Sequence, residues 1–189
     1  MSFILTPPKM KKWSRSQTER VASYPVFGVD KHKIHDGEGK PRRDVFTFAC
    51  TDWCNVIART PSGEIVMIWQ YRFGTDELSL EIPGGVIDPG EEPIAAARRE
   101  LREETGYGAA SFAHMTTVAV NPAIQNNRCH TFIAESAAPE GSTAFDDLEE
   151  CELCLVPESE LPRLLDAGTL SHSLVVSALE TYLRRRRAT

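Results

Sequence analysis

Three glutamates, Glu100, Glu103 and Glu104, crowd into a few residues between Arg99 and Gly106. On a helix, residues three and four apart are neighbours, and like charges there repel by about 0.2–0.5 kcal/mol per pair. One carboxylate more or less is surface decoration. Three of them, downstream of the Gly84-Gly85 pair, suit hard oxygen ligation of a divalent cation such as Mg²⁺. The competing reading is a solvated acidic helix face.

The segment carrying them has a start and a stop. Pro89-Gly90 reads as a turn, with Pro presetting one φ and Gly accepting a positive one. Pro93 suits the first helical position and Gly106 the left-handed position after the last turn, which predicts a helix over about 93–105. Ile94, Ala97, Leu101 and Thr105 are expected on its apolar side, with Glu100, Glu103 and Glu104 opposite.

The rest of the chain reads mostly as strands. Residues 1–20 are polar and basic and suggest an irregular arm, followed by a hairpin built from 24–34 and 44–50 around Asp36-Gly37-Glu38-Gly39. A second pair, 54–59 and 64–71, flanks Thr60-Pro61-Ser62-Gly63. Ile65-Val66-Met67-Ile68-Trp69 is apolar on both faces and reads as a central strand. Strands are expected again over 111–120, 128–135 and 152–156, a loop over 137–145, and helices over 158–167 and 173–187. The domain reading is an N-terminal arm and hairpin, 1–50, and a second region, 51–189.

Gly85-x5-Glu91-x7-Arg99-Glu100-Leu101-x-Glu103-Glu104-x-Gly106 resembles the Nudix box, the motif of the Nudix hydrolases. Every fixed position agrees, and Tyr107 departs from the aliphatic residue more usual after the glycine. The resemblance implies an α/β/α sandwich with a mixed β-sheet and hydrolysis of a nucleoside diphosphate linked to another group. It implies Glu100 and Glu104 as principal metal ligands, Glu103 assisting, and the Gly84 carbonyl as a further oxygen. Mg²⁺ is the expected cofactor, with Mn²⁺ as the alternative. Arg99 is expected to orient Glu91 or Glu103, and Glu91 also complements the helix N-terminus. The general base is expected from the acidic loop Phe145-Asp146-Asp147-Leu148-Glu149-Glu150, Glu149 first and Asp147 second, against a merely solvated loop.

Gln70-Tyr71-Arg72 and Glu81-Ile82-Pro83-Gly84-Gly85 resemble the strand end and the lead-in of the branch acting on ADP-ribose and nucleotide sugars. Gly84 stands there for a more usual Ala. Pro122 lies near the proline that marks ADP-ribose hydrolases, whereas the loop through Gln125, Asn126 and Arg128 is poorer in glycine than usual. Its amides suit sugar hydroxyls or a base, or simply a polar turn. Arg72 is expected on phosphate, with Glu81 also assigned to the substrate site, because a planar guanidinium reads phosphate well. The branch implies a nucleoside-diphosphate-sugar pyrophosphatase, of ADP-ribose or GDP-mannose type, working as a homodimer through its N-terminal hairpin. Trp13, Tyr24 and Phe27 are the candidates for stacking on the base. A Nudix enzyme for RNA caps, CoA or oxidised triphosphates, and a non-catalytic nucleotide sensor, are the alternatives.

With 21 Lys and Arg against 27 Asp and Glu, the net charge of −6 gives no global attraction for nucleic acid or anionic membranes. Arg184-Arg185-Arg186-Arg187 reads as cations favoured at a helix C-terminus rather than an RNA site. No apolar run reaches membrane-span length, and residues 1–13 lack a signal-type apolar region, so a cytoplasmic chain is expected. Five cysteines, including Cys50-x3-Cys54 and Cys151-x2-Cys154, read as buried inert thiols in a reducing compartment rather than as a zinc site.

Overall fold

The computed structural model describes residues 8–145 and 150–188, in two compact units. The first comprises Met1–Cys50 and Asn121–Asn126, the second Thr51–Val120 and Asn127–Thr189.

The first unit is a three-stranded antiparallel sheet of β1 (Ser14–Ser23), β2 (Gly28–His35) and β3 (Val45–Ala49), in that order. The hairpin of β2 and β3 is the expected one. Its turn is held by Asp36, whose carboxylate accepts the Glu38 and Lys40 N–H groups and pairs with Arg42. β1 corrects the expectation of an irregular arm. Its sequence, SRSQTERVAS, has no apolar alternation and is exposed almost throughout. The backbone ladder to β2 holds it, with the Arg20–Asp30 ion pair across the strands and two register shifts. Under the sheet His32 is buried between Thr18 and Thr47, at 2.9 and 2.8 Å. Phe27 packs on Tyr24 and on Phe48, ring centroids 5.1 and 5.2 Å apart, and Arg42 covers Trp13 at 5.9 Å.

The second unit is a mixed sheet in the order β10-β5-β4-β9-β8, made from β4 (Trp53–Arg59), β5 (Glu64–Arg72), β8 (Tyr107–Ala119), β9 (Arg128–Pro139) and β10 (Cys151–Pro157). Two short strands, β6 (Glu77–Glu81) on β5 and β7 (Gly84–Val86) on β4, join it; neither is evident in the sequence pattern. β4 and β9 pair in parallel, whereas the other pairs are antiparallel. α1 (Pro93–Thr105) covers one face, and α2 (Leu161–Asp166) with α3 (Ser173–Ala188) the other. Alternation along the central strands divides the core. Val56, Ala58 and Val66 join Ala97 and Leu101 under α1, whereas Ile57, Ile65 and Met67 join Val175, Leu179 and Tyr182 under α3. This is the α/β/α sandwich. Truncating a side chain as enclosed as Leu101 costs about 2–5 kcal/mol.

Two boundaries differ from expectation. β9 continues to Pro139 through residues whose Ala and Pro content suggested a loop, because β8 pairs with it as far as Tyr107↔Pro139. The helix expected over 158–167 opens as a 3₁₀ turn, Glu158–Glu160, before α2. Glu158 anchors this corner: it pairs with Arg59 at 2.7 Å and Arg186 at 3.2 Å, and accepts the Tyr182 hydroxyl at 3.2 Å. No helix of the described residues is long and apolar enough to cross a membrane.

Candidate active site

α1 begins and ends where its local signals place it. Pro93 occupies the first turn, and Gly106 adopts φ 71°, its N–H donating to Arg102 O. Its orientation corrects one expectation. Ile94 is exposed, whereas Glu100 and Glu104, only 7 % and 3 % exposed, lie with Ala97 and Leu101 on the inward side. They are buried because the neighbouring chain is glycine. β7 lies against β4 with Asn55 opposite Gly84 and Cys54 opposite Gly85. A Cβ on Gly84 would stand 2.3 Å from the Cys54 carbonyl oxygen, and one on Gly85 would stand 2.6 Å from Glu100 Oε1. The two glycines therefore bring a backbone and a carboxylate together where any side chain would part them. Glu104 Oε2 accepts the Gly84 N–H at 2.8 Å, tying the helix to the strand.

Arg99 organises the outer carboxylates. Its guanidinium donates to both oxygens of Glu91 at 3.1 and 2.9 Å, to Glu100 Oε1 at 2.7 Å, to Glu103 Oε2 at 3.1 Å and to Val86 O at 3.0 Å. The Glu91 hydrogen bond is the main reason its pKa lies above the usual arginine value; burial opposes this and the other glutamates reinforce it. Glu91 is bound by Arg99 in turn, and also accepts the Asp88 N–H, so its carboxyl sits below the ordinary range.

Among the described residues, no group of three or more His, Cys, Asp and Glu side chains is gathered around a metal position. The donor chemistry nevertheless fits a divalent cation. Glu100 and Glu103 converge on one cationic nitrogen, Arg99 Nη1, and Glu104 lies one turn on from Glu100. Hard carboxylate oxygens beside a backbone turn are what Mg²⁺ or Mn²⁺ take.

Arg72 ends β5 and Glu81 ends β6, and the hairpin between them makes a two-pronged ion pair, Nε to Oε1 and Nη2 to Oε2, both 2.7 Å. The Glu81 side chain is 3 % exposed and that of Arg72 39 %. Burial opposes ionisation of Glu81, but Arg72 outweighs it and holds the carboxyl below its usual value. Arg72 also feels the charge of Glu104, which links this pair to the α1 carboxylates.

The remaining expected residues are placed differently. Gln125 and Asn126 belong to the first unit. There Asn126 Oδ1 accepts the Cys50 N–H at 2.9 Å, and the Gln125 N–H donates to Asn121 O at 2.7 Å. Arg128 opens β9 in the second unit, its N–H donating to Asp52 at 2.8 Å. Asp147 and Glu149 lie outside the described residues. The chain leading to them is anchored: Glu140 and Gly141 donate to Gly106 O, and Ala144 donates to Glu103 O at 2.9 Å. Beyond them Cys151 stands opposite Gln70. Of the cysteines, Cys54 and Cys129 are buried, and that burial pushes their thiols up to about 12. All five are free thiols; Cys50, Cys151 and Cys154 are half-buried rather than enclosed. His172, which the sequence reading passed over, lies 4.0 Å from Glu81. A single histidine before a helix gives no local signal of that contact.

The α/β/α sandwich, with its helix of buried and arginine-bound carboxylates set against a glycine strand, is that of a NUDIX domain: residues 53–178 match that family, the chain belongs to it, and it is a hydrolase of pyrophosphate bonds. It is similar to the ADP-ribose pyrophosphatase of Bacillus subtilis (strain 168), 31 % identical over 134 residues covering 70 % of this chain and 72 % of that one. Similarity to the ADP-sugar pyrophosphatase of Mus musculus is 32 % over 129 residues, 65 % of this chain and 59 % of the other. The fold matches a crystal structure of an ADP compounds hydrolase with a TM-score of 0.84, at 23 % identity, over 96 % of this chain and 98 % of that one.

Proposed function

We propose that the protein hydrolyses the diphosphate of a nucleoside-diphosphate sugar, of ADP-ribose or GDP-mannose type, to a nucleoside monophosphate and a sugar phosphate. The observation that carries this reading is Arg72, a partly exposed guanidinium fixed by Glu81, which stands three residues before the Gly84 whose N–H Glu104 of α1 accepts. The names of the relatives in Bacillus subtilis and Mus musculus point to the same substrate class.

In this reading Glu100 and Glu104, with Glu103 and the Gly84 carbonyl, hold Mg²⁺, or Mn²⁺ in its place. The cation, when bound, offsets the charge of the diphosphate and acidifies the attacking water. Arg99 keeps Glu91, Glu100 and Glu103 oriented. Arg72 takes a phosphate oxygen through the donors that Glu81 leaves available, and so fixes the diphosphate for attack. Glu149, with Asp147 second, takes the proton from water. Water attacks phosphorus, and the bond to the bridging oxygen breaks. Gln125, Asn126 and Arg128 are assigned to the sugar or base, although Asn126 Oδ1 already accepts the Cys50 N–H. We also assign the N-terminal arm and hairpin, residues 1–50, to homodimerisation, and the protein to the cytoplasm, where its free cysteines are kept reduced.

A substrate panel with Mg²⁺ tests the reading. ADP-ribose, GDP-mannose, UDP-glucose, NADH, CoA and capped RNA are incubated with enzyme and the products are read by mass. Nucleoside monophosphate released from the sugar nucleotides supports it. Turnover confined to nucleoside triphosphates or capped RNA overturns it. Light scattering across a dilution series tests the dimer.

A further inference from the structure

The Arg72–Glu81 pair has a neighbour that the proposed chemistry does not use. His172 lies in the connection from α2 to α3, and its backbone carbonyl accepts the Val176 N–H in the first turn of α3. Leu170, two residues earlier, is buried in the core under α3 and holds this connection in place. The imidazole is therefore set by the fold. Its Nδ1 is buried and has no hydrogen-bond partner among the described residues, whereas Nε2 faces Glu81 Oε2 at 4.0 Å. A ring with one enclosed, unpartnered nitrogen and one nitrogen facing a carboxylate carries its proton on the latter. Burial, with Arg72 assisting, holds the imidazole below its usual pKa against the pull of Glu81, so the ring is neutral at neutral pH.

We propose that His172 is a positioning residue for Arg72: its Nε2–H backs the same Glu81 oxygen that accepts Arg72 Nη2, and keeps the carboxylate in place when the guanidinium engages a diphosphate. Glu81 Oε2 loses attraction from Arg72 when that guanidinium shares its charge with phosphate. A carboxylate this enclosed cannot turn to water for compensation, and an unsatisfied buried charge is costly. His172 Nε2 faces that oxygen at 4.0 Å, alongside the Ser79 hydroxyl, which also bonds the carboxylate. It acts through Glu81 on Arg72, so its contribution belongs to substrate binding rather than to bond cleavage. The inference rests on the assignment of Arg72 to the diphosphate.

Steady-state kinetics with ADP-ribose and Mg²⁺, together with thermal melts, test it in His172→Ala, His172→Phe, His172→Gln and Arg72→Ala. Phe keeps the ring volume without a donor, and Gln restores an N–H near the Nε2 position. The expected result is a KM raised about fivefold in both Ala and Phe, as a donor facing an enclosed carboxylate is lost, with kcat changed less than about twofold. Gln returns KM toward the wild-type value. A lowered melting temperature with KM unchanged in Phe, or a loss confined to kcat, overturns the proposal. If Arg72→Ala itself leaves KM unchanged, the assignment of Arg72 to the diphosphate fails, a result distinct from failure of His172 alone.

Discussion

Gly85→Ala separates the catalytic geometry from the fold. The added methyl would meet Glu100 Oε1 at 2.6 Å, Cδ at 2.7 Å and Oε2 at 2.8 Å, whereas ordinary contact begins at 3.4 Å. The carboxylate must therefore retreat by about 0.8 Å, a distance at which misplacing a reacting group costs about 10²-fold. The atoms that must move are the end of a flexible side chain, so the fold survives. Gly84→Ala is the control, since its methyl would strike the Cys54 carbonyl and the Asn55 Cα at 2.3 and 2.7 Å and part β7 from β4. We expect Gly85→Ala to melt within a few degrees of wild type while kcat/KM on ADP-ribose falls about 10–100-fold, about 1.4–2.7 kcal/mol of lost transition-state stabilisation. The apparent affinity for Mg²⁺, read from the metal dependence of rate, should fall with it. Gly84→Ala should lose stability first. Wild-type turnover and metal dependence in a folded Gly85→Ala protein would refute the placement of Glu100 at the metal.

Glu104→Gln retains an oxygen for the Gly84 N–H but loses the charge; turnover should fall by about 10³-fold while nucleotide binding by calorimetry persists, and undiminished turnover contradicts a metal role. Arg99→Lys cannot hold Glu91, Glu100 and Glu103 together, and should lower kcat about tenfold, measured at saturating ADP-ribose. Glu158→Gln should cost about 1–3 kcal/mol, a melting-point loss of several degrees, by weakening the contacts of Arg59, Arg186 and Tyr182. Burial works against ionised Glu158, but Arg59 and Arg186 prevail and depress its pKa. Its stabilisation is thus complete above the ordinary carboxylate range and is lost as pH falls through the depressed value. Melts of wild type and Glu158→Gln should differ at neutral pH and converge only as pH falls below the depressed value of Glu158.

Elements bounded by local chemistry were legible in the sequence. Pro93 and Gly106 delimit α1, and Gly63, at φ 87°, makes the turn between β4 and β5. Strands held by their partners were not. β1 has the composition of a solvated arm, and β7 is only Gly-Gly-Val, so their pairing is a tertiary fact. The helix α1 was legible in its bounds, and its carboxylates were misread in their facing. Periodicity sets Glu100 and Glu104 opposite an apolar stripe led by Ile94, yet the absence of side chains on Gly84 and Gly85 opens the only space a buried carboxylate needs, and Ile94 is left in solvent. Arg72 and Glu81 could be named from a resemblance, but His172 could not, because its relation to them spans most of the second unit in sequence.

The backbone of Glu103 receives the Ala144 N–H while its side chain serves Arg99, and β10 re-enters the sheet at Cys151 opposite Gln70. Glu103 is thus tied through its backbone to one segment and through its side chain to another. A substitution of that side chain loosens its hold on the Arg99 guanidinium and leaves the contact of Ala144 in place, so the two attachments can be separated by mutation.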